Sequence, residues 1–434
     1  MADPHRLYEI RCPVHGFVTI TDWEREIIAQ PAFQRLRRIR QLAWTDQVYP
    51  GAMHTRFEHS LGVMHVATRL YDSIVERAKP ILVSDLSYDE RGNGFERDRL
   101  LVRLTALLHD VGHSPFSHAA EKLFPPKGDG TARYKHEDYS AAIIRTHLRE
   151  AIEQHPLNQN YRLTADDIAD LLEGNTRAGR ALFWLDLISG QMDADRIDYL
   201  LRDSLHTGVS YGRFDWQRLI NSVAVVPRVD QGGLRLGVSE GGFHAAEGLV
   251  LARYFMFTQV YFHKTRVAFD HHLQEALAAI LPGGFFPRPV AGETPESNEL
   301  AEFLRWDDWR VLGELANGAG GDHGRRLAER DHFREVYHTS ESLSSDELNR
   351  LKSVREGLGD LLQAEEVAGK SWYKVGKPDI PVVSDNPGRT VQPLSSHSSV
   401  VKGLASIEKV MLYCRKEDVE EAKRRVTQMG GSEK

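Results

Sequence analysis

An apolar run, LVRLTALL (101–108), leads directly into an adjacent histidine and aspartate, His109 and Asp110. Apolar residues at three- and four-residue intervals predict a buried helix. A carboxylate at the buried end of a helix costs several kcal/mol unless it is paired or bound to a metal. Gly112, two residues further on, is expected to end the helix in a left-handed conformation. Any fold of this chain must therefore satisfy a charged group inside its core.

Two more histidines follow in the same stretch, LLHDVGHSPFSH (107–118). His113 and His118 flank Ser114 and Pro115, a pair typical of turns. Helix capping and packing at a tight turn would explain these histidines without any function. Imidazole also binds metals and changes its charge near neutral pH, so a metal site or an acid–base site is the alternative.

Helical periodicity dominates the chain from about 22 to 280. The segment 222–240 interrupts it with two β-rich runs around Asp-Gln-Gly-Gly, which predict a hairpin. The segment 243–281 is expected to form one long amphipathic helix, with Arg253 and Lys264 on nearly one face. Near the end, IEKVMLYCRKEDVEEAKRRV predicts one strand and then one helix. The predicted fold class is mainly α, with a β-hairpin and a small mixed α/β C-terminal region.

Two segments rich in Pro, Gly and Ser, 281–299 and 377–399, are expected to be loops. The first suggests a division of the chain into residues 1–285, a catalytic core, and residues 286–434, a C-terminal region for oligomerisation or regulation. The pattern shows neither an internal repeat of fixed period nor a long low-complexity tract.

The composition is that of an ordinary globular protein, with 434 residues of which 41% are hydrophobic and 27% charged. The formal net charge of -7 gives no general attraction to nucleic acid or to anionic membranes. Two cysteines, Cys12 and Cys414, are too few for a disulfide framework and are expected to be reduced thiols. The start MADPHRLYEI lacks a signal pattern, and every apolar run is shorter than the roughly 18 residues that span a bilayer. We therefore expect a cytoplasmic protein.

A metal site requires imidazoles and carboxylates that converge from separate elements. His59 lies near the start of a predicted helix, and Asp195 lies in the acidic stretch DADRIDYLLRD with Asp193 and Asp198. Each has an ordinary explanation, because a lone histidine on an apolar helix is more often a core residue and clustered aspartates often form a solvated face. Taken singly, these residues leave both interpretations open.

The order of the motifs is more informative than any one of them. HTRFEHSLG, LLHDVGHSPFSH, HEDYSA and DADRIDYLLRD follow one another along the chain, and FQRLRRIRQL and VYFHKTR lie on either side. This arrangement resembles the HD-domain phosphohydrolases, specifically the deoxynucleoside triphosphate triphosphohydrolases that include the bacterial dGTPases and the vertebrate sterile-alpha-motif and HD-domain enzymes. The likeness covers roughly residues 8 to 280, with a weaker similarity in KVMLYCRKEDVEEAK.

The resemblance implies a complete set of site residues, carried over by position. The implied metal ligands are His59, His109, Asp110 and Asp195. The implied acid–base group is His113, His118, His136 and Glu137, together with Asp110. The implied substrate contacts are Gln41, Leu42, Arg56, Arg196, Tyr199, Asp203, Arg253 and Tyr261.

The implied reaction is metal-dependent hydrolysis of a deoxynucleoside triphosphate to a deoxynucleoside and inorganic triphosphate. It uses one divalent ion per site, with Mn, Fe, Mg, Co, Ni and Zn all left open, and allows an additional Mg bound with the nucleotide. In the family pattern Asp110 holds or deprotonates the attacking water and His118 protonates the leaving 5′ oxygen. His113 and the His136-Glu137 pair orient and tune that acid.

The resemblance also assigns parts of the substrate. Arg56, Arg196 and Arg253 correspond to phosphate contacts, with arginine at 196 where the vertebrate enzyme has lysine. Gln41 and Asp203 correspond to contacts with the 3′-hydroxyl, and Tyr199 to a contact with sugar and phosphates. A wall of Leu42 and Tyr261 leaves no room for a 2′-hydroxyl, which implies a preference for deoxynucleotides.

An allosteric nucleotide site between subunits is a further implication. Its matching or nearly matching positions are Gln34, Arg37, Val48 and Tyr49. Ala29 replaces the acidic residue that reads guanine in the vertebrate enzyme, and Tyr8 replaces a phosphate-binding lysine, so activation by guanine nucleotides is not expected. A homo-oligomer between dimer and hexamer, with a tetramer favoured, is expected.

Two alternatives belong to other functional classes. One is an HD phosphohydrolase that acts on a nucleoside monophosphate or an alarmone, which the joint presence of Gln41, Leu42, Arg253 and Tyr261 disfavours. The other is a regulatory protein that binds nucleic acid through the arginine-rich run 34–41. Such a binder has no need of a full acid–base set, so nucleic acid is at most a secondary partner.

Overall fold

The computed structural model describes residues 6–89, 92–128, 130–227, 233–292, 298–341, 343–370, 379–384, 390–404 and 406–429. Helices make up most of these ranges. They are α1 (Asp22–Ala29), α2 (Pro31–Gln34), α3 (Arg56–Leu86), α4 (Gly94–Leu108), α5 (His136–Arg145), α6 (Arg149–Glu153), α7 (Ala165–Leu172), α8 (Asp186–Ser189), α9 (Ala194–Thr207), α10 (Trp216–Ser222), α11 (Phe243–Met256), α12 (Lys264–Ile280), α13 (Glu299–Leu304), α14 (Asp308–Ala316), α15 (Gly321–Ala328), α16 (Ser345–Leu358), α17 (Leu394–His397), α18 (Ser399–Gly403) and α19 (Val419–Gln428).

Short strands form three small sheets among the described residues. The strands are β1 (Leu7–Cys12), β2 (Gly16–Thr21), β3 (Val223–Pro227), β4 (Leu234–Ser239), β5 (Arg334–His338), β6 (Ala364–Lys370), β7 (Pro381–Val383), β8 (Val391–Pro393) and β9 (Ile407–Cys414). β1 and β2 form an antiparallel hairpin, and β5, β9 and β6 form an antiparallel sheet in that order. The order of the third sheet is β3-β4-β7-β8, in which β4 and β7 run parallel.

Helix α3 lies at the centre of the main core and packs along α4 and α9. It begins where the Thr55 backbone N–H donates to the Glu58 carboxylate at 3.1 Å, an arrangement typical of helix starts. Its approach to α9 requires glycine at position 62, because a Cβ atom there would lie 1.9 Å from Asp198 Oδ1. This close approach brings the first turns of α3 beside the acidic helix α9, where the candidate ligands of both helices lie.

The structure confirms the mainly α fold with a small α/β C-terminal region. β3 and β4 are the arms of the predicted hairpin, although its tip, 228–232, lies outside the described residues. The C-terminal strand and helix are β9 and α19. Cys12 and Cys414 are both buried and unlinked. Among the described residues, every helix is too short or too polar to cross a lipid bilayer.

The prediction of one long helix over 243–281 is wrong. α11 ends at Met256, a π-helical turn follows at Phe257–Tyr261, and Phe262 leaves the helical conformation. His263 is extended and accepts a hydrogen bond from the Thr265 backbone N–H at 3.3 Å, so it starts a new helix, α12. Periodicity alone misses this break because the side chains on both sides remain apolar and aromatic. Arg253 and Lys264 consequently do not share one helix face.

The expectation of a loop over 377–399 is also wrong for its described part. β7, β8 and α17 lie within it, and β7 pairs with β4 of the predicted hairpin. The pairing is a long-range contact that a Pro- and Ser-rich composition does not reveal. The proposed division after residue 285 stays a prediction. Leu300 and Phe303, which follow that point, belong to the same apolar core as α3 and α4.

The arginine-rich run 34–41 is largely paired within the chain. Leu36, Ile39 and Leu42 are buried, as the spacing predicts. The Arg35 guanidinium is also buried and donates to the Trp306 carbonyl at 2.9 and 2.6 Å. Arg38 pairs with Asp307 at 2.5 Å and Arg40 with Asp46 at 2.9 Å, so these charges serve internal contacts.

Asp308 ties the later part of the chain to the histidine-rich loop. This buried carboxyl group accepts the backbone N–H of Phe116 at 2.7 Å and that of Arg40 at 2.8 Å. Burial raises the pKa of Asp308 to about 7, although these two hydrogen bonds oppose the shift. Asp308 thereby satisfies two backbone donors next to residues that the sequence analysis places in the site.

We expect Asp308→Ala to lower the free energy of unfolding by roughly 2–4 kcal/mol, because it leaves two buried N–H groups without an acceptor. Trp309→Ala, on the exposed face of the same helix, is the matched control and should cost less than about 1 kcal/mol. Denaturant unfolding of both variants measures the difference. Equal losses in the two variants would contradict this role of Asp308.

Candidate active site

Three predicted ligands come together where α3, α4 and α9 meet. His59 lies in the first turn of α3, His109 directly follows α4, and Asp195 lies in the first turn of α9. One ligand atom from each lies within 4.8 Å of the other two. His59 Nε2 is 3.0 Å from Asp195 Oδ1, and His109 Nε2 is 3.8 Å from the same oxygen. The arrangement has the spacing of a metal site.

The fourth predicted ligand, Asp110, borders this group. Its Oδ1 lies 3.2 Å from His109 Nε2, and its Oδ2 lies 3.5 Å from His59 Nε2. Arg56 also donates a hydrogen bond to Oδ2. Burial by itself would raise the pKa of Asp110, but Arg56 and His109 hold it well below its usual range. Asp110 is therefore an anion at the edge of the group, in contact with the two histidines on one side and with the Arg56 guanidinium on the other.

The tautomers of both histidines favour metal binding through Nε2. Asp198 lies 2.8 Å from His59 Nδ1, and its carboxylate can only accept, so Nδ1 carries the hydrogen. The Ala106 carbonyl fixes His109 in the same way, at 2.8 Å from Nδ1. Both Nε2 atoms are buried and make no hydrogen bond within the described part of the chain. Two orphaned lone pairs beside a carboxylate fit a divalent ion.

The electrostatics of the group also favour a cation. Burial opposes the charged form of His59, but Asp195 and Asp198 outweigh it and raise the pKa of His59 to about 10. Burial would raise the pKa of Asp195, whereas His109 and His59 hold it well below its usual range. The buried carboxylates thus stabilise a positive charge at this point. A proton or a metal ion can supply that charge.

Gly112 has a different function from the one expected. It does not adopt the left-handed conformation, which instead occurs at Phe116 and Ser117, with φ of 56° and 57°. A Cβ atom at Gly112 would lie 2.2 Å from the Ser140 backbone nitrogen and 2.4 Å from the His136 carbonyl oxygen. Glycine is required because α5 crosses directly over this turn, a long-range contact that a helix-end pattern does not show.

Three imidazoles form a second group beside the candidate metal site. The rings of His113 and His136 stack with centroids 3.9 Å apart, and the His118 ring stands edge-on to His113 at 4.8 Å. His113 Nε2 lies 3.2 Å from Asp110 Oδ1, which connects this group to the candidate metal site. Burial, together with Arg56 and His136, lowers the pKa of His113 well below its ordinary value. His118 is mostly exposed and faces the cavity.

The carboxylate that organises these rings is Glu121, which the sequence analysis missed. Its Oε1 lies 2.7 Å from His136 Nδ1 and 3.0 Å from His118 Nδ1. Glu137, which the resemblance implies for this position, lies 3.5 Å from His136 Nδ1 and is more exposed. The three-residue spacing between His118 and Glu121 on one helical turn was the available signal. Burial would lower the pKa of His136, but Glu121 raises it to about 9.

A cavity of about 540 Å³ opens in front of both groups. All the predicted substrate contacts line it, namely Gln41, Leu42, Arg56, Arg196, Tyr199, Asp203, Arg253 and Tyr261. His109, Asp110 and Asp195 of the metal group and the acid–base residues line it as well, whereas His59 lies behind them. A volume of this size is in the range of small-molecule sites.

Arginines crowd one part of the cavity. Arg196 is bound to Asp193, the residue that caps α9. Burial lowers the pKa of Arg253, and the positive charge of Arg196 adds to that effect. Two guanidinium groups that repel each other inside a cavity favour an anionic ligand.

Polar side chains gather around Asp203 in the same cavity. Asp203 accepts a hydrogen bond from the Tyr261 hydroxyl at 2.6 Å and lies 2.7 Å from His54 Nε2. The buried Gln41 Oε1 has no hydrogen-bond partner within the described residues. The Tyr199 ring stands edge-on to Tyr261 at 6.3 Å. This part of the cavity suits a ligand with hydroxyl groups and a flat face.

The positions matched to an allosteric site are not among the residues that line the cavity. Gln34 Nε2 donates to the Ile28 carbonyl at 2.7 Å, and Arg37 donates to Gln34 Oε1 at 2.8 Å. The Tyr49 hydroxyl donates to the Gln259 carbonyl at 3.0 Å. A nucleotide site at this surface stays a prediction.

We expect Gly112→Ala to lower the free energy of unfolding by roughly 3 kcal/mol or more, because the added Cβ meets the backbone of α5. Gly313→Ala is the matched control, since a Cβ there meets nothing within 4 Å and the position is helical. That variant should gain about 0.5–1 kcal/mol. Denaturant unfolding decides between them, and a neutral Gly112→Ala would contradict the observed packing.

We expect Glu121→Gln to lower the pKa of His136 from about 9 toward the ordinary value of about 6.5. Glu137→Gln is the matched control and should lower it less. NMR titration of the imidazole measures both. Because the folded-state pKa of His136 is raised, its ion pair stabilises the protein below about pH 6.5, and this contribution is lost as the pH rises through about 9. A larger effect from Glu137→Gln would overturn the assignment of Glu121.

Comparison with known proteins agrees with this geometry. The HD domain family matches residues 56–203, which contain both histidine groups, and the HD associated region matches residues 214–368. The uncharacterized protein YwfO of Bacillus subtilis is 37% identical over 258 residues, 58% of this chain and 51% of its own length. The deoxynucleoside triphosphate triphosphohydrolase SAMHD1 homolog of Dictyostelium discoideum is 34% identical over 216 residues, 49% of this chain and 39% of its own length.

The chain spans about half or less of the length of these relatives. A crystal structure of a hypothetical protein from Aquifex aeolicus superimposes with a TM-score of 0.76 and 28% identity, covering 97% of this chain and 100% of that one. The two family matches are adjacent and together include the metal group, the imidazole group and the residues that follow them. The chain therefore carries an HD domain followed by an HD associated region, and the two matches together cover most of its length.

Proposed function

We propose that this protein hydrolyses deoxynucleoside triphosphates to deoxynucleosides and inorganic triphosphate. The observation that carries the proposal is one cavity that joins a metal-binding group, an imidazole group and crowded arginines to a polar sugar-sized end. Relatives named as deoxynucleoside triphosphate triphosphohydrolases support the substrate class.

His59, His109, Asp110 and Asp195 are the residues that would hold the ion. When bound, a divalent ion polarises phosphate oxygens and lowers the pKa of water, the chemistry that phosphate ester hydrolysis needs. Arg56 keeps Asp110 ionised and in place through its hydrogen bond. Ser117 supports Arg56 in turn, because its hydroxyl accepts from Arg56 Nε at 2.8 Å.

His118 is the proposed acid that protonates the leaving 5′ oxygen. Its exposed ring faces the cavity, and Glu121 holds its Nδ1 at 3.0 Å. A carboxylate at Nδ1 leaves Nε2 directed away from Glu121 and available for a proton transfer. His136 and His113 complete the wall behind it, and Asp110 connects that wall to the ligands.

The phosphates are proposed to bind near Arg196 and Arg253, whose positive charges are brought close together in the cavity. The sugar is proposed to bind at Gln41 and Asp203. Leu42 and Tyr261 line the same end, and a buried wall rejects an added hydroxyl by steric exclusion and by leaving it without a partner. An oligomer with an allosteric nucleotide site, a tetramer by preference, and a location in the cytoplasm remain parts of this proposal.

The first test is product analysis. Purified protein is incubated with each dNTP and each NTP in the presence of Mn²⁺, Mg²⁺, Fe²⁺ or Co²⁺. We expect inorganic triphosphate and the deoxynucleoside, and no reaction after removal of the metal with a chelator. Pyrophosphate or diphosphate as the primary product would contradict the proposal, and so would hydrolysis of nucleoside monophosphates alone.

Variants separate binding of the ion from proton transfer. Asp110→Ala and Asp195→Ala should lose bound metal and activity together. His118→Ala should retain the ion held by His59, His109, Asp110 and Asp195, and should lose turnover by about 100-fold or more. His147→Ala, an exposed imidazole outside the cavity, is the control and should be unchanged. If His118→Ala keeps full activity, His118 is not the acid.

Sugar selection has its own test. Leu42→Ala should lower the ratio of kcat/KM for a dNTP over the matching NTP by about tenfold or more, because it opens the wall beside the sugar. Tyr261→Phe keeps the ring and should change this ratio less. An unchanged ratio in Leu42→Ala would show that another residue excludes the 2′-hydroxyl.

A further inference from the structure

The imidazole group has the composition of a metal site in its own right. His113, His118, Glu121 and His136 each direct one ligand atom into a common space, and these atoms lie within 4.8 Å of one another. The set shares no member with the group around His59. Three imidazoles and one carboxylate are ligands typical of Zn²⁺.

The distances also suit a tetrahedral ion. Glu121 Oε1 lies 2.7, 3.0 and 3.8 Å from the Nδ1 atoms of His136, His118 and His113. Bonds of about 2.0–2.1 Å in a tetrahedron put neighbouring ligand atoms roughly 3.4 Å apart. The distances from Glu121 lie on both sides of this value, and all four ligand atoms lie within 4.8 Å of one another.

His113 gives an independent indication of a ligand. Its ring is fully buried, and its Nδ1 makes no hydrogen bond within the described residues. An unsatisfied buried imidazole is costly, and an ion at Nδ1 would satisfy it. Nε2 would still face Asp110 Oδ1 at 3.2 Å. The exposed ring of His118 provides access from the cavity.

We propose that His113, His118, Glu121 and His136 form a second divalent-cation site, suited to Zn²⁺, whose occupation inhibits the enzyme. The inhibition rests on the proposed function, in which His118 delivers a proton to the leaving oxygen. A ring bound to an ion through Nδ1 keeps one N–H and has no imidazolium proton to give. The binding of the ion does not depend on that function.

Metal stoichiometry tests the binding. Protein is equilibrated with Zn²⁺ by dialysis and the bound metal is measured; parallel samples with Co²⁺ give the visible absorption of a tetrahedral ion. Glu121→Gln, His118→Ala and His136→Ala should each bind one equivalent fewer than the wild type and lose that absorption. Asp195→Ala should lose a different equivalent and retain it. His147→Ala should match the wild type.

Because the His118 side chain is mostly exposed, His118→Ala removes little buried contact and should leave the fold intact. Circular dichroism verifies the fold of each variant. An unchanged stoichiometry in all three variants of the set would overturn the site.

Activity decides the inhibitory part. In enzyme already active with Mn²⁺, binding of the second equivalent of Zn²⁺ should lower dNTP hydrolysis by about tenfold or more. If that equivalent binds and the rate stays the same, the inhibitory function is wrong. If the protein hydrolyses no dNTP with any metal, the proposed function fails, while dialysis still decides whether the second site exists.

Discussion

The buried carboxylate of Asp198 is the interaction on which the rest of the site depends. It accepts from Arg202 at 2.8 and 2.9 Å and lies 2.6 Å from His15 Nε2 and 2.8 Å from His59 Nδ1. Burial would raise the pKa of Asp198, but these partners hold it far below its usual range. A fully paired buried anion fixes the spacing of the N-terminal hairpin, α3 and α9. It also sets the tautomer of His59, so the same carboxylate stabilises the fold and prepares a candidate metal ligand.

The cavity carries two opposite electrostatic demands close to each other. Ionised Asp110 and Asp195 favour a cation at one point, and Arg196 and Arg253 favour an anion nearby. In the proposed function, a polyphosphate bound between a metal ion and these arginines would meet both demands at once. In the proposed function this arrangement of charges would orient the substrate, and the surrounding low-dielectric walls would strengthen the effect.

The features that depend on nearby residues could be predicted from the sequence, and those that depend on contacts between distant residues could not. The helices and the hairpin arms follow from periodicity, whereas the choice of His59, His109 and Asp195 as candidate ligands rests on the resemblance of the ordered motifs to a known family. Glu121 was missed because its importance arises only where α5 brings His136 beside it. The break at Phe257–Tyr261 and the β4–β7 pairing escaped because apolar periodicity and loop-like composition carry no information about partners distant in sequence. Gly112 was correctly singled out, but for a local conformation that it does not adopt.

Asp308 shows that the histidine-rich loop is not completed by the HD domain alone. The carboxyl oxygens of Asp308 accept the backbone N–H groups of Phe116 and Arg40. Asp308 belongs to α14, more than a hundred residues beyond the end of the HD match at 203. An HD domain (56–203) transplanted from this chain without the HD associated region would leave the Phe116 backbone N–H without its acceptor. Chimaeras between family members should therefore exchange the two regions as a unit, because the loop and the carboxyl group that anchors it are inherited from different parts of the gene.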